Sequence, residues 1–404
     1  MNNNSKLNSK IKNLNFLQSE LNGILGSFIN GGFSSKGYLF YPLIKDVSPI
    51  LADKMRNLMV FADSCSELDF ESLSSLKKGR RNFTKYSSLR NPSFFSKLIS
   101  SLYTDFEHNK KRSGINTASR KIMTKTIKDR DYNSNYLKPV LELKKFAVNN
   151  LSEYLFDFHL HGSLSTLDYV KGWTDFDTLA IISRETLMDW RNLISLRDLM
   201  HSSKIYLYKI DPLQHHGHMI FTEIDIEYYC NTFFPVELFA YSKSFFGEKS
   251  IKFNLRECRD EDIKVFEWFC NYFKELPEDS RLCSYDLKFF LHAVALFPTI
   301  YLQAKGRNMY KKFSFEKARN DFGKEYGVID ELSSIRKNWK QLNTFPLIAP
   351  LKKLNPLLAY QLNAKYWDCT KDISAINKIN FKRLCSGIKN LVSSAENKIC
   401  GDKD

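Results

Sequence analysis

Asp175 and Asp177 bracket Phe176 at the start of the apolar run "TDFDTLAII". If that run is a strand, residues two apart point the same way, so both carboxylates share one face and Phe176 packs on the other. Two like charges that close repel unless something positive sits between them. Hard carboxylate oxygens suit Mg²⁺ (or Mn²⁺). One such ion, or two, can activate a hydroxyl and hold a triphosphate for in-line phosphoryl transfer. Upstream, Gly162 and Ser163 close the run "YLFDFHLHGS". Glycine lets the backbone approach closely, and Ser163 offers an N–H and a hydroxyl at a helix start, a seat for phosphate oxygens. About eleven residues separate Ser163 from Asp175, room for a short helix and a return loop. "KGWT" supplies that loop, with Gly172 making the turn.

The elements around these residues read as a small α/β unit, roughly Tyr154 to Cys230. "YLFDFHLHGS" and "FDTLAIIS" are strands, and "RETLMDWRNLISLRDLMHSS" is an amphipathic helix. "KIYLYKIDPLQHHGHMIFTEIDIEYY" alternates through two strands about a turn at Gln214–Gly217. Before this unit helical patterns dominate, broken at Asn30–Gly37 and near Asn109–Thr117. After it, from Pro235, helices return, punctuated by Pro277, Pro298, Pro346 and Pro350. The expected organisation is three-part: a basic, mainly helical region over 1–150, a catalytic unit over 151–232, and a helical region over 233–404.

The stretch from the apolar residue before Gly162-Ser163 to the acid–apolar–acid of Asp175–Asp177 resembles the signature of the DNA polymerase β-like nucleotidyltransferase superfamily. "GWTDFDTLAII" is similar to the corresponding part of poly(A) polymerases. The resemblance implies an α+β fold with a small mixed-sheet palm, flanked by helical regions. It implies a metal-dependent transfer of a nucleoside monophosphate from NTP to a hydroxyl, with Asp175 and Asp177 on the metal and Gly162 and Ser163 at the phosphates. It also implies a third carboxylate on a neighbouring strand. Asp225, in "EIDIEYY", is the preferred candidate for metal and catalysis. Asp211 is the other, favoured if the chain turns helical near Glu223. A helical region completing the cleft is implied as well, with Lys311, Lys312 and Ser314 gripping the triphosphate and Lys305 and Arg307 as weaker candidates. An ordinary capped helix with solvated lysines is the competing reading of "KKFSFEKA".

Six of the eight histidines crowd the same region: His159, His161, His201, His215, His216 and His218. "QHHGH" can reach the cleft or serve as turn chemistry. Zinc is disfavoured, because adjacent histidines on a strand point apart and no cysteine is suitably spaced.

The charge balance points to polyanions. The chain has 60 Lys and Arg against 45 Asp and Glu, with a pI near 9.2. Between Lys77 and Arg130 about fifteen basic residues meet three acids, interleaved with Phe83, Tyr86, Phe94, Phe95, Tyr103 and Phe106, the composition of a single-strand RNA surface. The competing reading is a basic helical domain whose aromatics are its core. The acceptor expectation leans to RNA. Alternatives are cyclic-oligonucleotide synthesis, nucleotidylation of a small molecule or protein, and non-catalytic nucleotide or RNA binding. Scattered cysteines without metal spacing, no leader-like start and no uninterrupted apolar run long enough for a bilayer lead to the expectation of a cytoplasmic protein without a membrane partner.

Overall fold

Leu14, Leu17, Leu21, Leu25 and Phe28 recur every three or four residues. The computed structural model places them on the buried side of one long helix, α1 (Asn2–Ile29). The structure describes residues 2–31, 46–78, 86–115, 117–211, 213–214, 216–232, 234–278, 282, 284–340 and 378–401, with short pieces between 346 and 366. α2 (Pro49–Ser64) and α5 (Pro92–Arg112) pack on α1, and α3 (Glu71–Lys77) and α4 (Tyr86–Leu89) pack on α5. Ser48 and Asn91 cap α2 and α5 by accepting hydrogen bonds from Leu51 N and Phe94 N. Phe94, Phe95, Tyr103 and Phe106 of α5 are buried, so they pack as core rather than as open stacking faces. Phe83 lies outside the described residues.

The chain then alternates. β1 (Ala118–Met123), β2 (Lys125–Thr126) and α6 (Lys138–Asn150) precede β3 (Leu155–Leu160), α7 (Gly162–Thr166), β4 (Thr178–Ile182), α8 (Arg184–Met188) and α9 (Trp190–Ile210). β5 (Met219–Thr222), α10 (Glu223–Ile226), β6 (Lys243–Ser244) and β7 (Ser250–Leu255) follow. One mixed sheet has the order β2-β6-β3-β4-β5, with β3 antiparallel to β4 and β4 parallel to β5; β1 and β7 form a separate antiparallel pair. Among the described residues, α11 (Arg259–Glu275), α12 (Ser284–Ala304), α13 (Lys311–Arg319), α14 (Gly327–Lys337) and a helix at Phe381–Gly401 follow. The fold is thus mixed α+β, mostly helical, with a small mixed sheet.

One hydrophobic core runs from Leu14 to Phe245, so the N-terminal helices and one side of the sheet share an interior. A second core joins α11 to α14 and the helix at Phe381–Gly401, and a third covers the remaining sheet face around Phe221, Phe239 and Phe253. The stretch Asp286–Ala304 of α12 is long and apolar enough to cross a membrane by length and composition, but 83% of that stretch is buried within the fold.

Three local expectations are corrected. Residues 204–210, read as a strand, extend α9, because Leu193, Leu196, Met200, Ser203, Leu207 and Ile210 form one buried stripe at helical spacing. The strand that carries "TLAII" begins at Thr178, so Asp175 and Asp177 lie in the segment feeding it; Phe176 N donates to Gln214 Oε1 at 3.0 Å instead of to a strand neighbour. The strand β5 stops at Thr222, where a capping box with Asp225 starts α10.

Helix α1 and the residue after it are tied to the segments flanking β5 and β7. Gln18 donates to Asp225 Oδ1 at 3.0 Å and to Tyr228 O at 2.8 Å, and accepts from Arg256 Nε at 3.0 Å. Asn30 pairs with the backbone of His218 in both directions, at 2.8 and 2.9 Å.

Candidate metal centre

Gly162 opens α7 at φ +69, and a Cβ there would lie 2.3 Å from Asp177 Oδ2. The close approach expected of this glycine is therefore to a carboxylate of the pair. Gly172 turns the return loop at φ +79. Thr174 holds that loop against α7: its Oγ1 accepts from Val170 N at 2.9 Å and from Ser163 Oγ at 3.1 Å. Phe176 is fully buried, while the carboxylates on either side of it reach the same imidazole. His216 Nε2 is 3.0 Å from Asp177 Oδ1 and 3.6 Å from Asp175 Oδ2.

Asp175, Asp177 and His216 each offer one donor atom, and these atoms lie within 4.8 Å of one another. Two hard oxygens and an imidazole nitrogen form a donor set that can hold a divalent ion. Burial alone would raise Asp177, but the hydrogen bond and positive charge of His216 hold it below the usual carboxylate range. Burial alone would lower His216, but its bonds to Asp175 and Asp177 hold it well above the ordinary imidazole value. His161 and His218 are driven by burial to about 4 and about 3, hence neutral. His161 stands edge-on to Phe234, and His218 is hydrogen-bonded to Thr178 and Ser203 in the core. His159 pairs with buried Asp157 behind the site at 3.1 Å. His201 is buried in α9, and His215 lies outside the described residues.

Helix α12 brings two groups that the sequence reading did not single out. Lys288 Nζ lies 2.6 Å from Asp175 Oδ1 and is also bonded to Asp211 Oδ2. One turn on, His292 Nδ1 is 3.1 Å from Asp175 Oδ2, its ring stacked on Trp173 at 4.9 Å. A lysine and a histidine four apart inside the apolar run "LKFFLHAVALF" are the available signal: charged groups in a buried stripe need partners.

Of the two further carboxylates, Asp211 joins this cluster through Lys288. Burial raises its pKa, against the lowering effect of Lys288. Asp225 does not join it. Its Oδ2 accepts from Thr222 N at 2.9 Å and Thr222 Oγ1 at 2.8 Å, and its Oδ1 from Gln18, so it is engaged as a cap under α1.

Helix α13 contributes the basic side. Lys311 is near enough to Asp177, Arg336 and Asp175 to feel their charges; burial pulls its pKa down, and the carboxylates oppose this. Lys312 pairs with Asp168 Oδ2 at 3.2 Å, and Arg336 Nη2 donates to Asp168 O at 3.0 Å. Tyr310 OH meets Thr166 Oγ1 of α7 at 3.2 Å, and the Tyr310 ring stacks on Tyr241 at 4.7 Å. Ser314 is turned away: it is buried, donates to Lys311 O at 2.7 Å and meets Thr299 Oγ1 at 2.8 Å, while Tyr310 holds the cap position expected of it. Lys305 pairs with Asp321 at 3.9 Å, and Arg307 is exposed on the turn after α12.

No protein-family model, curated protein or solved structure matches this chain.

Proposed function

We propose that the chain is a metal-dependent nucleotidyltransferase built on a polymerase β-like palm. It moves a nucleoside monophosphate from NTP to a hydroxyl acceptor and releases pyrophosphate. The observation that carries this reading is the packing of left-handed Gly162 directly against Asp177, beside Asp175 and His216. This joins a phosphate-seating turn to a cation-binding set at one point. Bound Mg²⁺ (or Mn²⁺) would neutralise triphosphate charge and ease loss of the acceptor proton.

The chain's own residues would do the rest. Asp175 and Asp177 would hold the ion with His216, whose Nε2 would release its proton to solvent, and with it the ion pair, as the ion bound. The backbone and hydroxyl of Gly162-Ser163 seat the β and γ phosphates. Lys311, Lys312 and Arg336 supply positive charge on the side facing α7, and the Tyr241–Tyr310 stack offers an aromatic face beside it. The excess of basic residues favours RNA as the acceptor.

The test is purified protein with each of four α-labelled NTPs, Mg²⁺ or Mn²⁺, and total RNA present or absent. Asp175→Ala/Asp177→Ala protein is the control. Label entering RNA supports the reading and its acceptor. Label in a small product without RNA moves the acceptor to a second nucleotide or a small molecule, and label on protein moves it to a side chain. Equal labelling by the double variant would refute the assignment, and no labelling with retained nucleotide binding would favour a binding protein.

A further inference from the structure

Lys288 is fully buried, on a helix whose flanking Leu287, Phe290 and Leu291 are locked into the second core. An ammonium so placed cannot swing to water, and it must be paired. Its partners are Asp175, one of the three donors of the centre, and Asp211, one of the two candidates for a third carboxylate. One oxygen of Asp175 is 2.6 Å from Nζ. Asp211 gives Lys288 its Oδ2, and its Oδ1 accepts from Leu213 N at 3.0 Å, so both Asp211 oxygens are engaged by the protein. The other oxygen of Asp175 points toward His292 and His216.

We propose that Lys288 is a built-in cation. Its ammonium stands between Asp175 and Asp211 where a second ion would otherwise be held. The site therefore takes one divalent ion, on Asp175, Asp177 and His216, and Asp211 is a positioning residue rather than a ligand. The inference rests on the metal-dependent reading above and narrows it to a single-ion centre. Electrostatics makes the two arrangements exclusive: a fixed positive charge within bonding distance of Asp175 repels a second cation at the same oxygens.

The test counts ions rather than turnover. The full-length chain is titrated with Mn²⁺ alone, and free Mn²⁺ is followed by electron paramagnetic resonance, with circular dichroism melting to confirm folding. The parent is expected to bind one tight ion. Asp177→Asn is expected to lose it. Asp211→Asn is expected to keep one ion, weakened by about 10–100-fold as an outer partner of Asp175. Lys288→Ala, where it folds, is expected to bind two.

Two tight ions in the parent, reduced to one in Asp211→Asn, would overturn the inference while leaving the metal-dependent reading intact. A folded Lys288→Ala protein that still binds one ion would overturn it as well. A parent that binds no ion would overturn the metal-dependent reading itself.

Discussion

Replacing Gly162 with Ala separates backbone strain from site geometry. The new Cβ would stand 2.3 Å from Asp177 Oδ2. A carbon and an oxygen need about 3.3 Å, so the carboxylate must retreat by about 1 Å. The clashing atom is the end of a side chain held by His216 rather than backbone, so the displacement falls on the site more than on the fold. The left-handed conformation adds about 1–2 kcal/mol for any residue with a Cβ. Gly114 supplies the control: it has φ +61, and nothing lies within 4 Å of its Cβ position. Both Gly162→Ala and Gly114→Ala should therefore lose similar thermal stability. Only Gly162→Ala should lose Mn²⁺ affinity, by tenfold or more, because a displacement of about 1 Å at a ligand removes its optimal geometry. Calorimetric titration with Mn²⁺ and melting curves on both variants read the two effects. Parental Mn²⁺ affinity in Gly162→Ala would refute the placement of Asp177 in the centre.

Three further outcomes are expected. Asp225→Ala leaves Thr222 and Gln18 donors buried without their acceptor, so it should cost about 1–3 kcal/mol in denaturant unfolding yet leave Mn²⁺ binding unchanged; loss of the ion in a folded variant would return Asp225 to the ligand set. Arg184 bridges Glu107 and Glu227, and although burial alone would raise both carboxyls, Lys111, Lys110 and Arg184 hold them below their ordinary values. Their contribution is thus present above the unfolded glutamate value, about 4.3, and lost as pH falls through the lower folded values. Arg184→Gln should accordingly melt earlier than the parent at pH 7, with the gap closing in acid, and a gap that widens toward low pH would contradict this. Phe158→Ala removes a fully buried ring packed at 4.9 Å from Phe245, and should cost about 3–5 kcal/mol by chemical denaturation.

The sequence exposes those parts of the molecule that local chemistry governs. β3 and β4 are apolar runs bounded by a turn; β3 forms within the run that the pattern places, and β4 begins at Thr178, later than its pattern suggests. The paired aspartates and the Gly162 turn are legible because repulsion and close approach restrict which residues can stand there. Residues 204–210 fit two periods at once, and the long buried stripe of α9, visible only over two further turns, decides for helix. β1 is exposed almost throughout and shows no alternation of burial; its pairing with β7, more than a hundred residues on, makes it a strand. Asp225 sits in an apolar–acid–apolar setting that suits a strand, but Thr222 three residues earlier is an equally local signal for a cap. Lys288 and His292 belong to the site only through the packing of α12 against the loop at Asp175. No spacing within "LKFFLHAVALF" names that partner.

Asn30, the residue after α1, holds the backbone of His218 on the loop that presents His216, and Gln18 within α1 holds Asp225 on the short helix after β5. Gly217 on that loop is so close to Asn30 that a Cβ would meet its Oδ1 at 2.1 Å. The end of the N-terminal helix is thus a splint for an imidazole far along the chain. Fraying its end would loosen the histidine loop in the same opening event, so the amides of both segments should exchange with solvent as one cooperative unit. A fragment starting at β3 would lack that splint.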